Sequence, residues 1–453
     1  MTDLNVHPAA PAGLTQRSHR NRLARRDVLW LFGASIGATA LSGCAVSPVT
    51  GQRILVGLSE DQEKAIDARQ APHQFSQDLG AVQDAPVNAY VTEVTAGLQP
   101  HVQRRGMPYS TRVLNANYVN AYTFPAGAMG ITRGIMVDMQ DEAQLAALLG
   151  HEMGHVNARH AAQRQGQALV AQVAVMGVAV AAGDSGWAPL AGIGGQIGAS
   201  ALLANYSREN EREADALGQQ YMVAGGYPAQ GMVGLHQLLV SSHDKQPGLL
   251  ETLFSSHPMS AERVATARRR AETTYAATRG APAQRERYMD RTASLRRLKP
   301  TIAACQNGEL AMSKKDLPEA QQQFEAALKH TPEDYAANLR MAQCLAAQNR
   351  LADARRYADT ARRVYPQEAQ AMKLGATLRL GQREPAAALA ELQAFDRVLP
   401  GDPGVLFLKG VSLDVMGQGR QAAEHYAAFL RVTQQGGAAQ HAAARLKALG
   451  ATP

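Results

Sequence analysis

The chain has 453 residues, 45 % hydrophobic and 19 % charged, with a net charge of +7 and three cysteines. That composition excludes a disordered chain, a disulfide scaffold and a Cys-rich zinc module. At roughly 150 residues per domain the length predicts about three domains, and no run of about 20 clean apolar residues supports a multi-span membrane protein.

Residues 1–43 read as an address. Arg17, Arg20, Arg22, Arg25 and Arg26 form a basic start, Val28 to Gly43 carries no charge, and the run ends Leu41-Ser42-Gly43-Cys44. A basic region, a short apolar run and small residues at the boundary make an export signal. The Cys after Leu-Ser-Gly resembles a bacterial lipobox, which implies a lipid anchor in the membrane through Cys44 and loss of residues 1–43. The plain alternative, an uncleaved anchor helix, needs a longer apolar run. Arg25-Arg26 resembles a twin-arginine signal, and general secretory signals carry such pairs too, so both export routes stay open. Ala45 in place of Asp favours, by resemblance, the outer membrane over the inner one. The leader also holds three of the seven excess positive charges. The remainder form no compact basic stripe with interleaved aromatics, so no nucleic-acid partner is expected.

The segment Asp141 to Gly166 predicts a helix, with Glu142 in its first turn and Leu145, Leu148 and Leu149 at helical spacing. Within it stands His151-Glu152-Met153-Gly154-His155. Residues i and i+4 share a helix face, so both imidazoles can meet one ion about 2 Å away. Glu152 lies beside the ion, placed to take a proton from water held there. The alternative is a pair of surface histidines with a solvated Glu, which the apolar neighbours disfavour. Ala158 and Ala161 stand where a metzincin needs Gly and His, excluding that class. The strand around Ala128–Arg133 could pair with an extended substrate. Ala168–Ala182 reads as a buried helix too short to span a bilayer, and 183–199 as a Gly-rich loop.

A carboxylate cluster follows: Glu209, Glu211, Glu213 and Asp215. On a helix Glu211 and Asp215 share one face, Glu209 and Glu213 another. One carboxylate can ligate while its partner orients a ligating imidazole. An acidic exposed face laced with Arg208 and Arg212 is the competing reading.

HExxH followed by ExxxDA on a later helix resembles the zinc metallopeptidase family of the CAAX prenyl protease, HtpX and BepA type. Asn120–Gly134 is similar to that family's strand before the active helix. Ser47-Pro-Val-Thr-Gly51 and the helix start Ser59-Glu-Asp-Gln-Glu63 are similar to its secreted members, and His257-Pro258 with Arg263 to its late His/Arg element. The resemblance implies one Zn2+ per chain on His151, His155 and Glu211, with Glu152 as general base and Asp215 orienting a ligand. It also implies His257 and Arg263 at the cleft. Either could stabilise the oxyanion, or His257 could cap the zinc at rest.

After residue 300 a 34-residue step governs the chain. Ala320, Ala354, Ala388 and Ala422 keep it, as do Pro332, Pro366 and Pro400, and Phe324, Ala358, Leu392 and Tyr426. Gly308, Ala342, Ala376 and Gly410 fill a small position earlier in each unit. This period is that of the tetratricopeptide repeat, two helices per unit. Cys305 and Cys344, on the first two units, could pair in an oxidising compartment or sit buried as small apolar residues.

The expected organisation is an export signal at 1–43, a metallopeptidase domain at 44–280 and a connecting helix or linker at 281–300. Four repeats at 301–436 and a capping helix and tail at 437–453 complete it. The fold class is mainly α with a small β-sheet in the peptidase domain (α+β), followed by an all-α repeat solenoid. The resulting expectation is a periplasmic zinc endopeptidase, lipid-anchored to the outer membrane, acting on unfolded or misfolded polypeptides. Its repeats would bind clients or the outer-membrane β-barrel assembly machinery. BepA-type members are soluble in the periplasm, so Cys44 is a departure. The alternative is a repeat scaffold or chaperone with a silent or gated metal site.

Overall fold

The computed structural model describes residues 44–168, 206–245 and 247–451. The export signal 1–43 and nearly all of the apolar and Gly-rich stretch 168–199 lie outside the described residues. The architecture is the expected α+β domain followed by a helical array. No helix among the described residues is long and apolar enough to cross a membrane.

The described chain opens on a hairpin, β1 (Cys44–Val46) against β2 (Arg53–Leu55), with Cys44 exposed. Helix α1 (Glu60–Gln77) starts at a capping box in which Ser59 and Gln62 satisfy each other's backbone amides. Helix α2 (Ala85–Leu98) starts at Asp84. Strands β3 (Ser110–Leu114), β4 (Ala121–Thr123) and β5 (Ala128–Thr132) form a sheet in the order β3–β5–β4, parallel on one side of β5 and antiparallel on the other. This changes the expectation for Ala128–Arg133. A strand paired on both sides has no free amides for a substrate, so an added strand has to join at an edge.

Helix α3 (Glu142–Ala158) begins where Asp141 caps the Gln144 amide, and all of its residues are buried. Being enclosed on every side, it has no polar face to show. It stops eight residues short of the expected Gly166. Arg159 adopts the left-handed conformation, φ +58°, at a cost of roughly 1–2 kcal/mol for a non-glycine residue. Its guanidinium is held in compensation by Glu63 Oε1 at 3.1 Å and by the Leu58 carbonyl at 2.8 Å. Residues 160–168 then resume as helix in a new direction.

Helix α4 (Arg208–Ala224) carries the carboxylate cluster and starts at Ser207, in a capping box with Asn210. It crosses α3 backbone to backbone. A Cβ on Gly218 would stand 2.6 Å from the His151 amide nitrogen, and one on Gly150 2.8 Å from the Gly218 carbonyl. Ala214 faces Gly154 one turn away. Small residues at i and i+4 on both helices therefore bring the two motifs into register. Helices α5 (Gln230–Lys245), α6 (Pro247–Ser256) and α7 (Ala261–Glu272) close the far side.

Residues 281–300 are two short helices, α8 (Arg285–Arg291) and α9 (Ala293–Arg297), rather than one connecting helix. They belong to the peptidase core. Tyr288 is fully buried and donates to the Met136 carbonyl at 2.5 Å, and Arg287 pairs with Glu142 at 3.1 Å. Each expected repeat is then a helix pair: α10 (Lys299–Ser313) with α11 (Leu317–His330), and α12 (Tyr335–Ala347) with α13 (Leu351–Val364). Pairs α14 (Ala369–Gly381) with α15 (Pro385–Val398) and α16 (Pro403–Val415) with α17 (Gly419–Leu430) follow, closed by α18 (Gly437–Ala448). Cys305 and Cys344 are buried free thiols, and Cys344 contacts the Leu317 carbonyl at 3.5 Å. Burial pushes the Cys305 thiol up.

The array is docked on the peptidase domain. Arg133, just after β5, lies in a buried fork with Asp334, the N-cap of α12, at 2.7 and 3.0 Å, and also reaches Asn117. Glu368 receives Ser76 at 2.5 Å, and Leu79 is buried in one cluster with Tyr335, Leu339 and Ala371.

Candidate metal centre

The helix crossing places the two halves of the motif face to face. His151 and His155 Nε2 atoms lie 3.1 Å apart. Glu211 brings its carboxylate within 3.3 Å of His155 Nε2 and 3.6 Å of His151 Nε2. The Nδ1 atom of His257 closes the group, 3.0 Å from Glu211 and 3.4 Å from His151. All four residues are buried, and one ligand atom from each falls within 4.8 Å of every other. With bonds of 2.0–2.1 Å, the edge of a tetrahedral zinc site is about 3.3–3.4 Å. The measured separations of neighbouring donors, 3.0–3.6 Å, lie near that edge.

The chemistry of the surroundings fits a cation. Three imidazoles and a carboxylate are the nitrogen and oxygen donors that zinc accepts. Asp215 Oδ1 lies 3.0 Å from His151 Nδ1, which fixes the Nδ1–H tautomer and turns the His151 Nε2 lone pair inward. Among the described residues Glu152 Oε2 is buried without a hydrogen-bond partner, while its other oxygen comes within 3.9 Å of His257 Nε2. A buried carboxylate oxygen without a partner is costly unless a reacting molecule uses it.

Charge is arranged around this point. Burial pushes the Glu152 carboxyl up, against the pull of His257 and His151. Burial also acts against ionised Glu211, yet His257 and His151 hold its carboxyl well below the usual range. Asp215 is likewise held low despite burial, by His236, Arg263 and His151. Burial drives the His155 imidazole well down, so it is neutral and able to ligate. For His257 burial favours the neutral ring, but Glu211 and Glu152 raise it overall.

Arg263 lines the same cavity as His151, Glu152 and His257. Its Nε and Nη2 bond Asp215 at 2.7 and 2.8 Å, and Nη1 bonds the Pro258 carbonyl at 2.9 Å and ion-pairs Glu211 at 2.6 Å. Those four contacts let it orient Asp215 and Glu211. All seven predicted residues are brought together, with His257 on the ligand side.

Three neighbours had no strong signal in the sequence. His236 Nε2 lies 3.3 Å from Asp215, from a position that reads as a lone His on an apolar helix face. Tyr206 stacks on His155, ring centroids 3.9 Å apart, and its only cue is its place just before the carboxylate helix. His160 Nδ1 lies 2.9 Å from His155 Nδ1. On an unbroken helix it would point elsewhere.

Residues 81–271, which contain this whole centre, match the model described as Peptidase family M48. Over that segment the chain is similar to M48 peptidases. Residues 311–377 match the model described as Tetratricopeptide repeat. The beta-barrel assembly-enhancing protease of Yersinia pestis is 27 % identical over 257 residues, 55 % of this chain and 48 % of its own length. Metalloprotease YcaL of Escherichia coli is 27 % identical over 246 residues, 51 % of this chain and 93 % of its own. Metalloprotease LoiP of the same species is 25 % identical over 233 residues, covering 50 % and 90 %. The chain therefore spans about half the length of the beta-barrel assembly-enhancing relative and nearly all of the two shorter ones. The match supports a metalloprotease, and the His/Glu cluster is where a metal could be held.

Proposed function

We propose that the chain is a zinc endopeptidase of the bacterial envelope that cleaves unfolded or misassembled exported proteins, outer-membrane proteins among them. The observation that carries this reading is the convergence of His151, His155 and Glu211 beside Glu152, whose buried Oε2 has no hydrogen-bond partner among the described residues. His151, His155 and Glu211 would hold the zinc. When bound, it polarises the scissile carbonyl and acidifies water. Glu152 takes the proton from the attacking water and passes it to the leaving amine. Asp215 and Arg263 hold His151 and Glu211 in place. Strand β4 lies on the outer side of the sheet beside α3 and is the edge where an extended peptide would join as a strand, recognised through its backbone.

The names of the relatives support envelope protein assembly as the setting, and the repeats support protein partners. The exposed Cys44, at the first described strand, supports a lipid anchor there. His257 on the ligand side supports a resting cap, which keeps the gated-site reading alongside the catalytic one.

Glu152→Gln is expected to lower the cleavage of unfolded casein by about 10²–10⁴-fold while zinc stays at one per chain by metal analysis. Equal activity of the variant and the wild type would end the mechanism. His257→Ala is expected to raise the casein rate, because a cap is removed. A fall instead would assign His257 to the transition state.

A further inference from the structure

Most of the ring contacts around the centre are accounted for by the ligands and by Asp215, but the back of His155 is not. Its Nδ1 meets Nδ1 of His160 at 2.9 Å, and Nε2 of His160 meets Glu213 Oε2 at 3.1 Å. His160 is buried, while the Glu213 side chain is about one-third exposed (34 %). We propose that His160 and Glu213 are positioning residues for the second histidine ligand, a relay parallel to the one Asp215 provides for the first. This rests on the zinc reading of the site.

Hydrogen-bond chemistry sets the direction of the relay. A carboxylate only accepts, so His160 must present Nε2–H to Glu213. A neutral His160 then has a bare Nδ1, which accepts Nδ1–H from His155. That leaves the His155 Nε2 lone pair facing Glu211 and His151. Orienting partners of this kind fix a ligand's tautomer and ring plane and raise its basicity. The two Nε2 lone pairs would then face each other at 3.1 Å, an arrangement that a cation between them relieves.

The backbone is built to make this contact. Five residues on a continuous helix amount to about 140° of rotation, so His160 would project well away from His155. The left-handed Arg159, φ +58°, turns the chain so that the next residue comes back beneath the ligand. Arg159 is itself tied to Glu63 and Leu58. The helix that supplies Glu213 is the one that supplies Glu211, two residues earlier. Helix α4 therefore contributes orienting groups as well as a ligand, and the segment following α3 adds His160.

The test is metal affinity, not turnover. The full chain is stripped of metal and titrated with Zn2+ against a chromophoric chelator. His160→Leu is expected to weaken zinc binding by about 10–100-fold. His160→Asn, whose side-chain oxygen can accept from His155 Nδ1, is expected to recover most of that loss. Glu213→Gln is expected to weaken binding less than His160→Leu, and to shift the visible spectrum of the Co2+-loaded protein. A histidine that merely fills the core would lower metal-free stability equally in the Leu and Asn variants, without rescue. Wild-type affinity in His160→Leu would overturn the relay. Should that variant not fold, unchanged affinity and spectrum in Glu213→Gln would overturn it instead. If the wild type itself binds no zinc, the metal reading fails first and takes the relay with it.

Discussion

In the peptidase domain α3 and α4 touch backbone to backbone at Gly150 and Gly218. In the array the helices of a pair meet through side chains. Gly308 faces the ring of Phe324 and Gly410 the ring of Tyr426, while the same position is Ala342 opposite Ala358 and Ala376 opposite Leu392. In the array, size is traded across one contact, a large ring against no side chain and a smaller residue against a methyl. Each unit can make that adjustment alone because it packs mainly on its neighbours. The peptidase domain cannot, since a shift of α3 or α4 displaces its buried donor groups relative to those on the other elements. Precision is global in one region and local in the other.

The contact joining the two regions is where the contrast can be broken most severely. Asp334→Ala strands the buried Arg133 guanidinium and removes the cap of α12. Losing one partner of a buried pair costs about 3–5 kcal/mol. Urea unfolding followed by intrinsic fluorescence is expected to show that loss, with the array and the peptidase domain separating into two transitions. A single transition with an unchanged midpoint would mean that the domains are not coupled through this pair.

A matched pair of glycine substitutions sharpens the contrast itself. Alanine favours a helix interior over glycine by about 1 kcal/mol, so either change would stabilise where space allowed. Gly218→Ala meets backbone at 2.6 Å and is expected to destabilise by about 1–3 kcal/mol, with loss of metal affinity. Gly410→Ala meets ring atoms of Tyr426 at 2.7 Å. A side chain can give way, so the expected cost is under about 1 kcal/mol. Equal effects on thermal midpoint would remove the distinction between global and local packing.

The smallest effect lies at the far end of the array. Arg445 bonds Asp414 at 2.6 and 2.8 Å and holds its carboxyl below the usual range, chiefly through those hydrogen bonds. A depressed carboxyl contributes stability above its unfolded value of 3.8, and loses it as the pH falls through the folded value. Arg445 is 41 % exposed, so solvent screening keeps the contribution of the pair small. Arg445→Met is expected to lower the thermal midpoint slightly at pH 7, with the gap closing as the pH drops below 3.8. A gap that persists in acid would assign the loss to packing of the long side chain instead.

The sequence by itself determined whatever repeats or is written in neighbouring positions. The 34-residue step set the helix pairs of the array, since each residue's partner lies within one unit. The i, i+4 spacing of His151 with His155 and of Glu211 with Asp215 put each pair on one helix face. Tertiary structure alone decided what depends on a break or a meeting of distant segments. The left-handed Arg159 ended α3 early and turned His160 beneath His155, although a helical pattern runs through it. Pairing on both sides made β5 a central strand, because strand order is a property of the sheet rather than of any one strand. Tyr288 drew the supposed connector into the peptidase core. Arg263 is tied to Glu211 and Asp215, two carboxylates four residues apart on another helix. Periodicity is a local property and survives in one dimension; the tautomers, strand order and ion-pair partners depend on segments tens to hundreds of residues apart.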